Sequence, residues 1–205
     1  MEIKVLPLGH INSNCYMLST ERSAVVIDPG FKSETVSKFL IDNAHKERLI
    51  LLTHAHFDHI GGAEGLRNLA NTKIGIGEFD NLSLSDTRLN LSDLFHAKLS
   101  PFLADLIFCD NQTFSVGDIE FKVLHTPGHT PGGVCYLMGD ILFSGDTLFK
   151  GSIGRTDFYG GDFKTLEKSV KRLYTLDGNT TVLSGHGEAT TIKEEKNFNP
   201  FIRGL

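Results

Sequence analysis

Short apolar runs rich in β-branched residues recur along the chain at residues 3–6, 15–18, 24–27, 49–52, 73–76, 113–116, 119–124, 134–138, 141–143 and 180–183. Most are bounded by Gly, Pro, Asn or Asp, as strands are. Gly117-Asp118 separates one pair of runs and Gly139-Asp140 another, so two tight hairpins are expected and the sheets must be at least partly antiparallel. Helical spacing appears at 34–46, where Val36, Phe39, Leu40 and Ala44 share a face behind Ser33 as N-cap, and at 163–176, where Leu166, Val170, Leu173 and Tyr174 face inward behind Asp162. Residues 61–71 and 192–198 are weaker helices. Residues 78–112 break the pattern: Leu and Phe are scattered at helix-like spacing around Pro101, which predicts an inserted helical segment. The class is mixed α and β, with no repeat, no low-complexity tract and no visible domain boundary, so a single domain over 1–205 is expected.

Composition narrows the partners. With 20 Lys+Arg against 25 Asp+Glu the net charge is −5, which excludes affinity built mainly on phosphate contacts, so no nucleic-acid partner is expected. No apolar stretch approaches the ~18 residues of a membrane span, and the N-terminus has no basic stretch leading into an apolar one. Cys15, Cys109 and Cys135 are odd in number and widely spaced, which reads as reduced thiols in a cytoplasmic protein. Cys135, within a strand, reads as a small buried hydrophobe.

Histidine changes the picture. There are nine, and three fall within Thr53-His54-Ala55-His56-Phe57-Asp58-His59, directly after a buried-type strand. A lone histidine in a polar loop would mean nothing. Four potential ligands in six residues, of the types that Zn²⁺ and its first-row neighbours take in water-activating sites, point to metal chemistry. Side chains two apart on a loop can aim at one point while Asp58-His59 faces a second, roughly 3.5–4 Å away, the spacing of two-metal sites. Three further strands end in a Gly and a ligand-type residue: 123–129 with His125 and His129, Gly145-Asp146, and Gly185-His186. With one residue from each of these segments the total is seven ligands, enough for two ions if one carboxylate bridges, with positions left open for water.

The set His54-x-His56-x-Asp58-His59, then His129, Asp146 and His186, resembles the complete ligand signature of the metallo-β-lactamase superfamily over essentially the whole chain. The resemblance implies a four-layer αββα sandwich with the site at one edge. It places His54, His56 and His129 on one ion, Asp58, His59 and His186 on a second, and Asp146 between them, and it leaves His125 structural. The ions would be transition metals, zinc first, with iron or manganese served by the same ligands. Asp28, which ends a strand in Val-Val-Ile-Asp-Pro-Gly, would either cap its turn or support the first histidine loop.

Thr126-Pro127-Gly128-His129-Thr130-Pro131-Gly132, Gly145-Asp146-Thr147-Leu148-Phe149 and Asn199-Pro200-Phe201 resemble the glyoxalase II group, the hydroxyacylglutathione hydrolases, and residues 150–158 are similar to small bacterial members of it. The implied activity is hydrolysis of a thioester such as S-lactoylglutathione by metal-bound hydroxide, with Asp58 orienting that hydroxide. Full-length enzymes of the group carry a C-terminal helical domain that helps hold glutathione, and the chain stops before one could be built. Arg155 falls where the group has a basic glutathione contact, while Asp157 stands in place of the group's tyrosine. Phe149, Phe158 and Tyr159 could wall the substrate, and Thr53, Thr130 and Thr147 could bond ligand backbones or imidazoles. His10, His45 and His96 have no ligand-like company. A β-lactamase is disfavoured because Asp146 stands where the commonest such enzymes have cysteine, an RNA-processing enzyme by the acidic charge, and a flavin-linked di-iron reductase by His56. The alternative that survives is a persulfide dioxygenase with one iron on His54, His129 and Asp146, because Gly154-Arg155-Thr156-Asp157-Phe158 resembles the corresponding loop.

Overall fold

The computed structural model describes residues 1–203. In the first half of the chain, β1 (Glu2–Leu8), β2 (Ser13–Ser19), β3 (Ser23–Ile27), β4 (Glu47–Leu52), β5 (Lys73–Gly77) and β6 (Leu106–Phe108) form a six-stranded sheet in that order. The first three strands are antiparallel, and β3 to β6 run parallel. Three helices lie between these strands in sequence: α1 (Glu34–Asp42), α2 (Phe57–Ile60) and α3 (Ala63–Ala70). The second half gives β7 (Thr113–Val116), β8 (Ile119–His125), β9 (Val134–Met138), β10 (Ile141–Gly145), a small hairpin of β11 (Leu148–Phe149) and β12 (Ser152–Ile153), α4 (Phe163–Leu173), β13 (Thr181–Ser184), β14 (Thr190–Thr191) and α5 (Ile192–Phe198). Its sheet runs β14-β13-β10-β9-β8-β7.

The period-two pattern sorts each strand between layers. Val25, Ile27, Leu49 and Leu51 point into the space between the sheets, where they meet Phe121, Val123, Tyr136 and Phe143. Their neighbours Val26, Ile50 and Leu52 face the other way, onto Val36 and Leu40 of α1 and Leu66 of α3. On the far side Leu166, Val170 and Leu173 of α4 pack on Leu124, Leu142 and Val182. The result is the expected αββα order of layers, with both hairpins at the Gly-Asp pairs.

Ser33 caps α1 through Val36 N, and Asp162 caps α4 through Thr165 N. Both helices end earlier than their apolar spacing predicts. In α1 the Asn43 amide folds back on Phe39 O (2.8 Å) and stops the helix at Asp42, so Ala44 is exposed. Residues 78–112 are not the expected helical insertion. They hold two 3₁₀ turns, Glu78–Asp80 and Leu82–Ser85, the second anchored by buried Leu84, then irregular chain anchored by buried Leu91 and Phe102, and finally β6. Polar side chains take backbone donors there that a helix would use: Asp86 accepts from Arg88 N (2.9 Å), and Asn90 from Ser92 N (3.0 Å). No helix among the described residues is long and apolar enough to cross a membrane.

Candidate metal centre

Because β8 and β10 both run antiparallel to β9, and β13 runs parallel to β10, the carboxyl ends of β8, β10 and β13 point the same way. The loops that leave them carry His129, Asp146 and His186. In the first sheet Asp28 follows β3, and His54 to His59 follow β4. These loops meet across the seam between the sheets. Val134 N donates to Thr53 O (2.8 Å), Asn14 N donates to Gly185 O (2.7 Å), and Ser13 bridges to His186. Two glycines permit the contact. Gly145 has φ +49° and lies against the Thr53 side chain, and a Cβ on Gly185 would collide with the Asp146 carboxylate and the His59 ring.

The structure brings together all seven residues that the sequence singles out as ligands. His54, His56 and His129 form one trio and Asp58, His59 and His186 another, with the ligand atoms of each within 4.8 Å of one another. Asp146 touches both: Oδ2 lies 3.5 Å from His129 Nε2 and 3.6 Å from His186 Nε2, and Oδ1 lies 3.4 Å from His59 Nε2. Asp58 Oδ2 is 3.3 Å from both His59 Nε2 and His186 Nε2.

Bonds outside the cluster fix the rings. His59 Nδ1 donates to Asp28 Oδ2 (3.0 Å), His129 Nδ1 to Arg155 O (2.8 Å), and His186 Nδ1 to Ile11 O (3.2 Å). The Thr53 hydroxyl gives its proton to Asp28 Oδ2 (2.6 Å), so it can only accept from His54 Nδ1 at 3.1 Å. A neutral imidazole with its proton on Nδ1 has its lone pair on Nε2. Four Nε2 atoms are thereby turned on the cluster, and His56 Nδ1 faces His129 Nε2 at 2.9 Å. His54 Nε2, His56 Nε2, His59 Nε2 and Asp146 Oδ1 are buried without any hydrogen-bond partner. Buried orphaned donors and acceptors of this kind are costly. Imidazole and carboxylate together fit a divalent transition metal, and the seven residues could hold two.

The electrostatics of the trios differ. Burial, then the neighbouring histidines, pushes His54 well below the ordinary imidazole range and His56 down to about 3. Burial also opposes charge on His59, but Asp58, Asp146 and Asp28 outweigh it and raise that pKa well above the usual value. His186 is raised in the same sense, chiefly by Asp58. Burial opposes charge on both carboxylates too, yet His59 and its neighbours hold Asp58 far below the carboxylate range and Asp146 at about 2.

The other expectations resolve unevenly. Asp28 is buried with φ +51°, and its carboxylate accepts from Thr53 and His59 rather than from its own turn, so it braces the histidine loop. Arg155 supports His129 through its carbonyl. Its guanidinium is already paired to both oxygens of Asp157 (2.7 Å each) and packs 3.8 Å over the Phe158 ring. Phe158 lies 6.2 Å from the His56 ring and Phe149 6.1 Å from His186, while Tyr159 is exposed. His125 bonds Pro131 O away from the cluster, and His10, His45 and His96 are exposed. Burial pushes the Cys135 thiol up to about 11, in keeping with an inert core residue. Asp80, a lone acid with no sequence signal, is found buried against both histidine loops.

Known proteins share this architecture. The sequence is 33% identical to the hydroxyacylglutathione hydrolase GloC of Haemophilus influenzae over 98% of each chain, and 35% identical to the probable metallo-hydrolase YqgX of Bacillus subtilis over 100% of this chain and 99% of that one. Among solved structures, BLEG-1 B3 metallo-β-lactamase superposes with a TM-score of 0.91 at 38% identity, covering 99% of this chain and 100% of that one. A di-iron-bound form of TTHA1623 gives 0.85 at 34% (97% and 100%), and ETHE1 from Myxococcus xanthus 0.81 at 29% (98% and 84%). With the family's sequence model matching residues 8–186 on top of this sandwich and its histidine-aspartate seam, the chain belongs to the metallo-β-lactamase superfamily.

Proposed function

We propose that this metallo-hydrolase is a thioesterase acting on a small glutathione-type thioester such as S-lactoylglutathione. In this reading His54, His56 and His129 hold one transition-metal ion, Asp58, His59 and His186 a second, and Asp146 joins them. The observation that carries it is the set of imidazole nitrogens turned on one point, with His54, His56 and His59 lacking any hydrogen-bond partner for their Nε2 atoms. Such ions supply a water of lowered pKa and a polarised carbonyl. Zinc suits the donors, and iron or manganese could occupy the same set.

The rest falls to the chain's own residues. Asp58 would hold the attacking water by accepting its proton in a hydrogen bond. Asp28 and the Arg155 carbonyl keep His59 and His129 in the tautomer that leaves Nε2 free. The cluster is closed around His54 and His59 and open beside His186, whose side chain is 29% exposed, so substrate would enter there. Three nearby carboxylates are already engaged: Asp28 by Thr53 and His59, Asp80 by Ala55, Thr130 and Gly132, and Asp157 by Arg155. None is free to protonate a leaving group. A thiol of pKa near ~8.5 departs as thiolate without one. Arg155 would meet the anionic end of the substrate by exchanging Asp157 for it. A cleft of about 210 Å³ between Ala55, Phe79, Leu82 and Pro131 offers room for an apolar arm. The GloC relative supports the substrate class, and three free cysteines suit a reducing cytoplasm.

A mononuclear-iron persulfide dioxygenase is the second reading. His129 Nε2 at 3.5 Å from Asp146 Oδ2 and the His54 and His129 rings 4.8 Å apart could make its triad. One experiment separates them: S-lactoylglutathione hydrolysis, glutathione-persulfide-dependent O₂ uptake and hydrolysis of a β-lactam, run side by side on protein loaded anaerobically with Zn²⁺ or Fe²⁺. Thiol release from the thioester alone is the expected result. Fe²⁺-dependent O₂ uptake with negligible thioester turnover would overturn it, as would preferential turnover of the β-lactam, the substrate class named for BLEG-1.

A further inference from the structure

Asp80 lies where the chain leaves β5, in the first 3₁₀ turn of the irregular 78–105 segment. Its side chain is buried, and its two oxygens accept three hydrogen bonds: from Ala55 N (3.0 Å) and the Thr130 hydroxyl (2.8 Å) at Oδ2, and from Gly132 N (2.8 Å) at Oδ1. All three donors come from ligand-bearing loops. Ala55 sits between His54 and His56, Thr130 directly follows His129, and Gly132 is two residues further. The backbones of the two loops are joined at Thr53 and Val134, where the strands end. Beyond that point one carboxylate spans them. A Cβ on Gly132 would strike the Asp80 backbone and carboxylate, so that approach is closely fitted.

A packing residue would need only enough partners to offset its burial. Asp80 instead divides its bonds between one loop of the first sheet and one of the second, at the level of the imidazoles. The Asp58, His59 and His186 trio has different braces, Asp28 and Ile11 O. We propose that Asp80 is a positioning residue for the His54–His56–His129 trio: it sets the distance between the two loops and so the spacing of the three imidazoles that would hold an ion. This rests on the reading of the cluster as a metal centre, and it gives the 78–105 segment a task at the site.

Co²⁺ is the probe, with affinity measured by competition against a chelator, the visible absorption spectrum recorded for each equivalent, and melting followed on metal-free protein. Asp80→Asn offers one acceptor oxygen where three donors wait. It is expected to weaken the equivalent held by the histidine trio about 10–100-fold and to change its spectrum, while the other equivalent keeps its own. Leu173→Ala, a core deletion under α4, is the control: it should lower the melting temperature with Co²⁺ affinity and spectrum unchanged. Thr130→Val, which removes one of the three bonds, should shift affinity in the same direction by less, and it serves if Asp80→Asn does not fold. Wild-type affinity and spectrum in Asp80→Asn and Thr130→Val would overturn the role of Asp80. Wild-type protein that takes up no Co²⁺ would overturn the metal-centre reading and this one with it.

Discussion

The two trios lie on the same seam, one of three histidines and the other of two histidines and an aspartate, and they carry opposite electrostatics. His54, His56 and His129 crowd three imidazoles together in a buried pocket, and burial plus mutual repulsion keeps His54 and His56 neutral. His59 and His186 are set among Asp58 and Asp146, with Asp28 behind His59, and these acids favour the protonated imidazoles. A cation entering the first trio finds lone pairs ready. One entering the second must displace protons, but gains carboxylates in return. The acids set the halves apart: Asp58 and Asp146 among the candidate ligands, with Asp28 behind them, favour charge on His59, whereas burial and the neighbouring histidines keep it off His54 and His56.

The strongest way to break the comparison is to remove the residue common to both halves. Asp146→Ala should cost both equivalents of metal, and activity by more than the ~10–100-fold typical of losing an outer brace, as read by elemental analysis and turnover. Asp28→Asn should weigh unequally on the halves: about 10–100-fold weaker metal binding where His59 contributes, and a smaller loss at the histidine trio, which Asp28 reaches only through Thr53 and His54, measured by chelator competition. Acidification should sharpen the contrast. Between pH 8 and pH 6 the carboxylate-bearing trio should lose affinity by about tenfold per pH unit for each proton displaced, whereas His54 and His56 carry none to displace, so affinity falls more steeply with acid at the carboxylate-bearing trio. In metal-free protein the stability slopes have opposite signs. The raised His59 and His186 stabilise fully below about pH 6.5 and lose that contribution as pH rises through their folded values. The lowered His54 and His56 cost stability as pH falls below about 6.5, because only the unfolded chain takes up those protons. Melting curves on chelated protein across that range check both. Smallest is Arg155→Ala: a few-fold rise in KM for an anionic thioester, with metal content and melting temperature unchanged, since the side chain is exposed and its ion pair with Asp157 is solvated.

Much of this could be read from the chain because strands and ligands announce themselves locally. Runs such as 24–27 and 49–52 are apolar on both faces, which only a strand sandwiched between layers tolerates, and the residues just past their ends are where a fold of this kind exposes chemistry. What failed was decided by partners far along the sequence. β6, β11, β12 and β14 are two or three residues long and exist only because a neighbouring strand is there. The helix expected within 78–112 loses to side chains of Asp86 and Asn90 that bond nearby backbone. Asp80 is silent in sequence since all its donors lie 25 or more residues away, and the charge on Arg155 looks free until Asp157 is seen to match it.

The division of each trio between the sheets has a kinetic consequence. His54, His56, Asp58 and His59 belong to one half of the sandwich, and His129, Asp146 and His186 to the other, so prising the halves apart dismantles both trios at once. An ion in either trio is therefore a rivet. It adds about 2.7 kcal/mol to the folded state at a hundredfold excess over its Kd. It also ties the opening of the seam to the slow step of ion release. The working lifetime of this protein against heat and proteases would then track the supply of metal around it rather than the quality of its hydrophobic core.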